Sequence, residues 1–171
     1  MGCAAKERSG GQEVAAAIDA FMLHVVLIEP EIPPNTGNIG RLCLATGAAL
    51  HLVGPLGFSM DDRTLLRAGL DYWKEVDCRR WTDFASLRSA ADPTSCFYFL
   101  TTKTNRPYWD ATFRDGDYLV FGRESKGLPE PLLAAHPKHC LTIPQQGVRS
   151  LNLATAVGIV LYEAVRQMRP I

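Results

Sequence analysis

The sequence predicts an α/β fold: a parallel sheet with helices on both faces. Three observations lead there. Short apolar runs alternate with capped or amphipathic helical stretches from residue 22 to the end. Those runs are continuously apolar, as strands buried on both faces are. The chain has 171 residues, 47% of them hydrophobic and 21% charged. That is one soluble domain, which buries roughly 70% of its extended-chain surface on folding. The same composition excludes a disordered chain, a collagen and a disulfide miniprotein.

Each element has its own signal. Residues 23–28 (LHVVLI) are the first strand, and Pro30, Pro33 and Pro34 impose a loop after it. Asn35 is the candidate N-cap of a helix over 36–46, with Gly47 as its C-terminal stop. Residues 49–53 (ALHLV) are the second strand, broken by Gly54, Pro55 and Gly57. Asp61 or Asp62 caps a short helix through Ala68, and 75–78 read as a short strand. Thr82 or Asp83 caps a helix to about Ala91. Buried strands follow at 95–101 (SCFYFLT) and 118–121 (YLVF). Residues 129–135 form a short helix with proline in its first turn, and 140–143 the last strand. Ser150 caps the longest helix, to about Met168; its apolar face runs Leu153, Val157, Leu161, Val165.

Residues 1–21 stand apart, rich in Ala and Gly and without the apolar core of a signal peptide. They read as a flexible N-terminal extension, with a short helix over 13–21, or as a start misplaced upstream of Met22. The domain proper is 22–171. Over the whole chain, 18 basic and 18 acidic residues balance, which excludes a polycation but leaves room for a local basic patch. The five cysteines include no CxxC pair, so a zinc site or a disulfide framework is not expected, and free thiols suit a reducing cytoplasm. No apolar run approaches the ~18 residues of a membrane span.

In such sheets ligands sit beyond the carboxyl ends of the strands, and three loops there are unusual. In EPEIPPNTGNIGRLC (29–43), Asn35 and Arg41 stand near a helix start, where free N–H groups favour an anion and an arginine fork grips phosphate. Neither a GxGxxG nor a Walker A pattern is present, and a capped helix with a surface arginine accounts for the same residues. In FGRESKGLP (121–129), Glu124 sits between Arg123 and Lys126; it reads as a structural ion pair, a backbone-holding acceptor or a catalytic group. In IPQQGVRSLNLATAV (143–157), Arg149, Ser150 and Asn152 precede the last helix.

Taken together with GFSMDDRTLLRAGLDYW (57–73), FYFLTTK (97–103) and GDYLVFGRESKGLP (116–129), these loops resemble the SPOUT class of RNA methyltransferases. The resemblance covers residues 22–168. It implies a C-terminal deep trefoil knot, which periodicity does not indicate and general topology rules disfavour. It implies S-adenosylmethionine bound in that knot by Leu100, Thr101, Gly122, Glu124, Ile143, Ser150 and Leu151, and a homodimer. It implies 2'-O-methylation of a tRNA wobble nucleotide, cytidine or modified uridine, without a metal. Arg41 matches the family's catalytic arginine, with Asn35, Ser150 and Asn152 beside the reacting ribose. Arginine stays protonated in proteins, so its role is phosphate positioning and oxyanion stabilisation. Lys103, Arg149, Arg63 and Arg67 are the cations expected to face tRNA, with Lys74 and Arg106 as further candidates. The alternatives are a SPOUT enzyme for another tRNA or rRNA site, and a non-catalytic module on the same fold.

Overall fold

The computed structural model describes residues 21–59 and 71–168. Six strands form one sheet in the order β3-β2-β1-β5-β4-β6, and every pairing is parallel. The strands are β1 (His24–Ile28), β2 (Ala49–Val53), β3 (Cys78–Trp81), β4 (Phe97–Leu100), β5 (Tyr118–Phe121) and β6 (Cys140–Leu141). The helices among the described residues are α1 (Pro33–Thr46), α2 (Phe84–Ala90), α3 (Glu130–Ala135) and α4 (Leu153–Met168). The expected α/β class and the two-sided cover are both present.

The reason lies in the strand sequences. Every residue of β1, β2, β4 and β5 is buried. Successive side chains alternate between faces, so two cores result. Val25, Leu27, Leu50, Leu119 and Phe121 meet Ile39 and Cys43 of α1 and Val157, Leu161 and Val165 of α4. Val26, Ile28, Val53, Phe99 and Val120 meet Leu87 of α2 and Leu133 of α3 on the other side.

β4 is shorter than expected, Phe97–Leu100 within 95–101, and four further boundaries differ for a local reason. α1 starts at Pro33, with prolines at its first two positions and no side-chain cap on Ile32. Prolines have no N–H to satisfy, so a capping side chain there has little to do. Asn35 is therefore the third residue of α1, its own N–H held by Ile32 O at 3.1 Å. α4 is capped by Asn152 and not by Ser150: Asn152 Oδ1 accepts from Ala154 N at 2.9 Å and Thr155 N at 3.2 Å. β3 lies at Cys78–Trp81, while Glu75 ends a 3-10 helix over Asp71–Glu75. β6 stops at Leu141, because Thr142 pairs with Arg106 and Tyr108 and Pro144 follows. The stop of α1 at Gly47 is as expected, in the left-handed region at φ 72. So is Asp83 at the start of α2, in a capping box with Ser86. The helix expected after Asp61 or Asp62 lies outside the described residues, as do residues 1–20.

Candidate functional site

The strand order reverses between β1 and β5: β2 and β3 lie beyond β1 on one side, β4 and β6 beyond β5 on the other. A crevice must open at the carboxyl ends of strands at such a point. It does, as a cavity of about 470 Å³. Leu100 and Thr101 enter it from the end of β4, Gly122 and Glu124 from the loop after β5, and Ile143, Ser150 and Leu151 from the segment before α4. All seven residues expected around a cofactor thus border one space. Asn35 and Asn152 border it as well.

One chain of hydrogen bonds ties the three loops together. Asn152 Nδ2 donates to Asn35 Oδ1 at 2.9 Å, and Asn35 Nδ2 donates to Glu124 Oε1 at 3.1 Å. The Glu124 carboxylate also accepts from Glu31 N at 2.9 Å and Ile32 N at 3.2 Å. Of the three readings of Glu124, the geometry selects the backbone-holding acceptor. The asparagines use both ends of their amides, which fixes their orientation without any bound ligand. Gly122 has to be glycine here. A Cβ on it would lie 2.1 Å from the backbone carbon of Gly127, across the neck of the loop.

The cavity has a graded chemistry. Leu100, Phe121, Ile143, Leu153 and Ala156 give it an apolar wall. Lys126 and Arg149 border it with positive charge. Gln145 lies between: its Nε2 donates to Arg149 O at 3.2 Å, while its Oε1 is buried without a partner among the described residues. A ligand with a flat apolar body, a hydrogen-bond donor and an anionic end fits this arrangement. Lys126, Ser125 and Gln145 were not singled out as site residues from sequence. The flanking of Glu124 by cations was the available signal for Lys126.

Arg41 is not part of this cavity lining. It lies six residues beyond Asn35, about 9 Å further along α1 and roughly 120° round it. Its guanidinium is exposed and sits 4.7 Å from the ring centroid of Tyr72. Tyr72 donates its hydroxyl to Gly37 O at 2.8 Å, and Trp73 packs on Gly40. The close approach at Gly40 is therefore made by the 3-10 helix over Asp71–Glu75. Of the expected RNA-facing cations, Arg149 borders the cavity; Lys103 does too but is ion-paired with Glu130. Arg106 is engaged with the carbonyls of Lys138 and Asp110, and Lys74 is exposed. Arg63 and Arg67 lie outside the described residues.

Comparison with known proteins adds a context. Residues 22–162 match the model of the SpoU rRNA Methylase family. A tRNA (cytidine(34)-2'-O)-methyltransferase of Escherichia coli strain K12 is 48% identical over 149 residues, covering 86% of this chain and 94% of the relative. A solved structure described as giving structural insights into the 2-OH methylation of C/U34 on tRNA is 49% identical. It superposes with a TM-score of 0.81 over 86% of this chain and 97% of its own. The SpoU methyltransferase AviRb from Streptomyces viridochromogenes, in complex with AdoMet, is 26% identical. It superposes with a TM-score of 0.73 over 85% of this chain and 57% of its own.

Proposed function

The chain belongs to the SpoU rRNA Methylase family, and on that premise we propose that it methylates the ribose 2'-hydroxyl of the tRNA wobble nucleotide, cytidine or modified uridine, using S-adenosylmethionine. The observation that carries this reading is the cavity beyond the carboxyl ends of β4 and β5, bordered by the apolar, donor-seeking and cationic groups that such a ligand needs. The naming of the E. coli relative and of the solved neighbour supports the choice of substrate.

In this reading Leu100, Ile143 and Leu151 would hold the apolar part of the cofactor and shed water from it. Lys126 and Arg149 would offer charge to its carboxylate, and Gln145 Oε1 would accept from its amino group. The bound cofactor supplies a methyl group already made electrophilic by its sulfonium, so no metal is required. The ribose hydroxyl is a weak nucleophile that loses its proton near the transition state. Asn35, Ser150 and Asn152 orient the ribose, Glu124 keeping Asn35 in place. Arg41 grips a substrate phosphate and stabilises charge building on the attacking oxygen. Lys103, Arg149, Arg63 and Arg67 contribute to tRNA binding.

The reading extends to assembly and place. In this reading the C-terminal segment, which runs from β6 beside β4 to α4 on α1 and β5, is the part threaded as a trefoil knot. Leu44 on α1 and Tyr162 on α4 are exposed, at 36% and 45%. They support a homodimer face that would bring Arg41 of one protomer toward its partner. No helix among the described residues is long and apolar enough to cross a membrane, in keeping with a cytoplasmic enzyme.

The test is nucleoside mass spectrometry after incubation with S-adenosylmethionine and tRNA from a strain lacking wobble methylation. A new 2'-O-methylcytidine or 2'-O-methyluridine derivative is expected. Arg41→Ala should lower its rate by about 10² or more, as loss of a transition-state donor does. Arg41→Lys should recover little, for want of the planar fork. Methylation of ribosomal RNA alone would refute the wobble assignment, and turnover unchanged in Arg41→Lys would refute the role of the arginine.

A further inference from the structure

We propose that Glu31, which does not border the cavity, is a positioning residue: its carboxylate pins Ser125, and with it the loop over 122–128, to the start of α1. The functional consequence rests on the proposed methyl transfer; the clasp itself does not. Ser125 N–H donates to Glu31 Oε2 at 3.0 Å, and Ser125 Oγ donates to Glu31 Oε1 at 2.9 Å. One side chain thus spends both oxygens on one residue. In return, Glu31 N–H donates to Glu124 Oε2 at 2.9 Å. Glu124 thus holds the backbone of Glu31, and Glu31 holds the backbone of Ser125, the residue after Glu124. Arg123 adds an ion pair to Glu29, so three consecutive loop residues grip four positions of the 29–35 segment.

Glu31 has little freedom to yield. Gly57 N–H donates to Pro30 O at 3.0 Å from the far side, and a Cβ on Gly57 would lie 2.9 Å from Glu31 Cα. Hydrogen bonds from the Ser125 hydroxyl and then its N–H hold the Glu31 carboxyl below the usual carboxylate range, with Lys126 helping. The clasp is therefore ionised, and charge-assisted, at neutral pH. It also sets polarity. The Ser125 hydroxyl hydrogen is committed to Glu31, so its oxygen offers only lone pairs to a ligand in the cavity that Ser125 borders.

The consequence is coupling. Ser125 and Glu124 belong to the loop that walls the cofactor space, and Asn35 and Arg41 belong to α1. Without the clasp, Glu124 and Arg123 still tie the loop to the start of α1, but its Ser125 side is free to shift, and displacements of about 1 Å already cost rate. Glu31→Ala removes both acceptor oxygens at once, whereas in Glu31→Gln the Ser125 hydroxyl can turn to accept from the new amide. In Glu31→Ala, amide hydrogen exchange over 122–128 should accelerate by about tenfold or more. kcat should fall by about tenfold, while the affinity of the free protein for S-adenosylmethionine, by calorimetry, changes by less than about threefold. Ser125→Ala should lower kcat too, and the double variant should be no slower than the slower single one. Exchange equal to wild type overturns the clasp. So do additive losses, or an affinity that falls as far as kcat/KM, which would make Glu31 a direct ligand group. If the wild-type protein transfers no methyl group to wobble-unmodified tRNA, that counts against the proposed function alone, and the exchange comparison still decides the clasp.

Discussion

His24 on β1 and His51 on β2 show how much a single residue's setting departs from its type. Trp81 Nε1–H donates to His51 Nδ1 at 2.9 Å, which leaves His51 Nε2–H to donate to His24 Nδ1 at 3.0 Å. His24 stacks on Tyr118 with centroids 4.2 Å apart, and Tyr118 stacks on Phe97 at the same spacing. The chain of bonds works only with both imidazoles neutral. Burial pushes His24 down to about 4, with Arg79 adding to it and Asp77 and Asp115 opposing. Burial pushes His51 to about 3, followed by the neighbouring His24 and Arg79, against Asp77. Both rings bind protons more readily unfolded, where they titrate near 6.5. Their contribution is therefore complete above pH 6.5 and is lost as pH falls toward 3, on the order of a few kcal/mol. Urea unfolding at pH 7.5, 5.5 and 4.5 should show the loss, and His51→Gln should flatten it. The same slope in variant and wild type would dismiss the pair as its source. From sequence these histidines were only members of apolar runs. Their pairing depends on β1–β2 register, which a linear reading does not contain.

At the scale of elements, the strands buried on both faces were legible because, one histidine each in β1 and β2 apart, they are runs of apolar and aromatic residues, and β2 and β5 fall where those runs put them. β3 was misplaced because it is an edge. Arg79 and Arg80 on CRRW are exposed, the kind of charge that keeps an edge strand from pairing with another chain, and charge reads as loop. Helix starts were misjudged for a related reason. Asn35 and Ser150 have the residue type of a cap, yet capping depends on which N–H groups are orphaned, and Pro33 and Pro34 orphan none. Freed from capping, Asn35 became a member of the site. Gly40 has a neighbour that a linear reading does not supply. A Cβ there would lie 2.5 Å from Trp73 Cζ3. Gly40→Ala should therefore destabilise by about 1–2 kcal/mol net, overpacking outweighing the better helix propensity of alanine. Adding Trp73→Leu should recover part of the loss in urea midpoint. A Gly40→Ala protein more stable than wild type would mean that the Trp73 ring moves aside freely.

At the scale of the molecule, the site is a product of strand order, and strand order was not written in any one segment. Four separate stretches, around residues 32–35, 100–103, 121–128 and 143–156, converge because β1 and β5 are neighbours although ninety residues apart in sequence. The loops could be picked out by composition, and the family resemblance told which residues to watch; only the fold explains why they meet. A ligand bridging such stretches binds the folded chain and not the unfolded one, so it should stabilise the whole. At a hundred times its dissociation constant, S-adenosylmethionine should add about 2.7 kcal/mol and raise Tm by roughly 5–10 °C. The increment should be global. Asp83→Ala removes the α2 cap, whose carboxylate accepts from Ser86 N at 2.7 Å on the other face of the sheet. It should lower stability by about 1 kcal/mol yet leave the ligand-induced increment unchanged. Gly122→Ala, whose Cβ would strike backbone across the loop neck, should abolish the increment even in the fraction that folds. Differential scanning calorimetry of the three proteins, with and without ligand, separates the cases. A wild-type Tm that ignores saturating ligand would mean that the cavity takes something else, and an increment lost in Asp83→Ala would mean that the two faces of the sheet do not act independently.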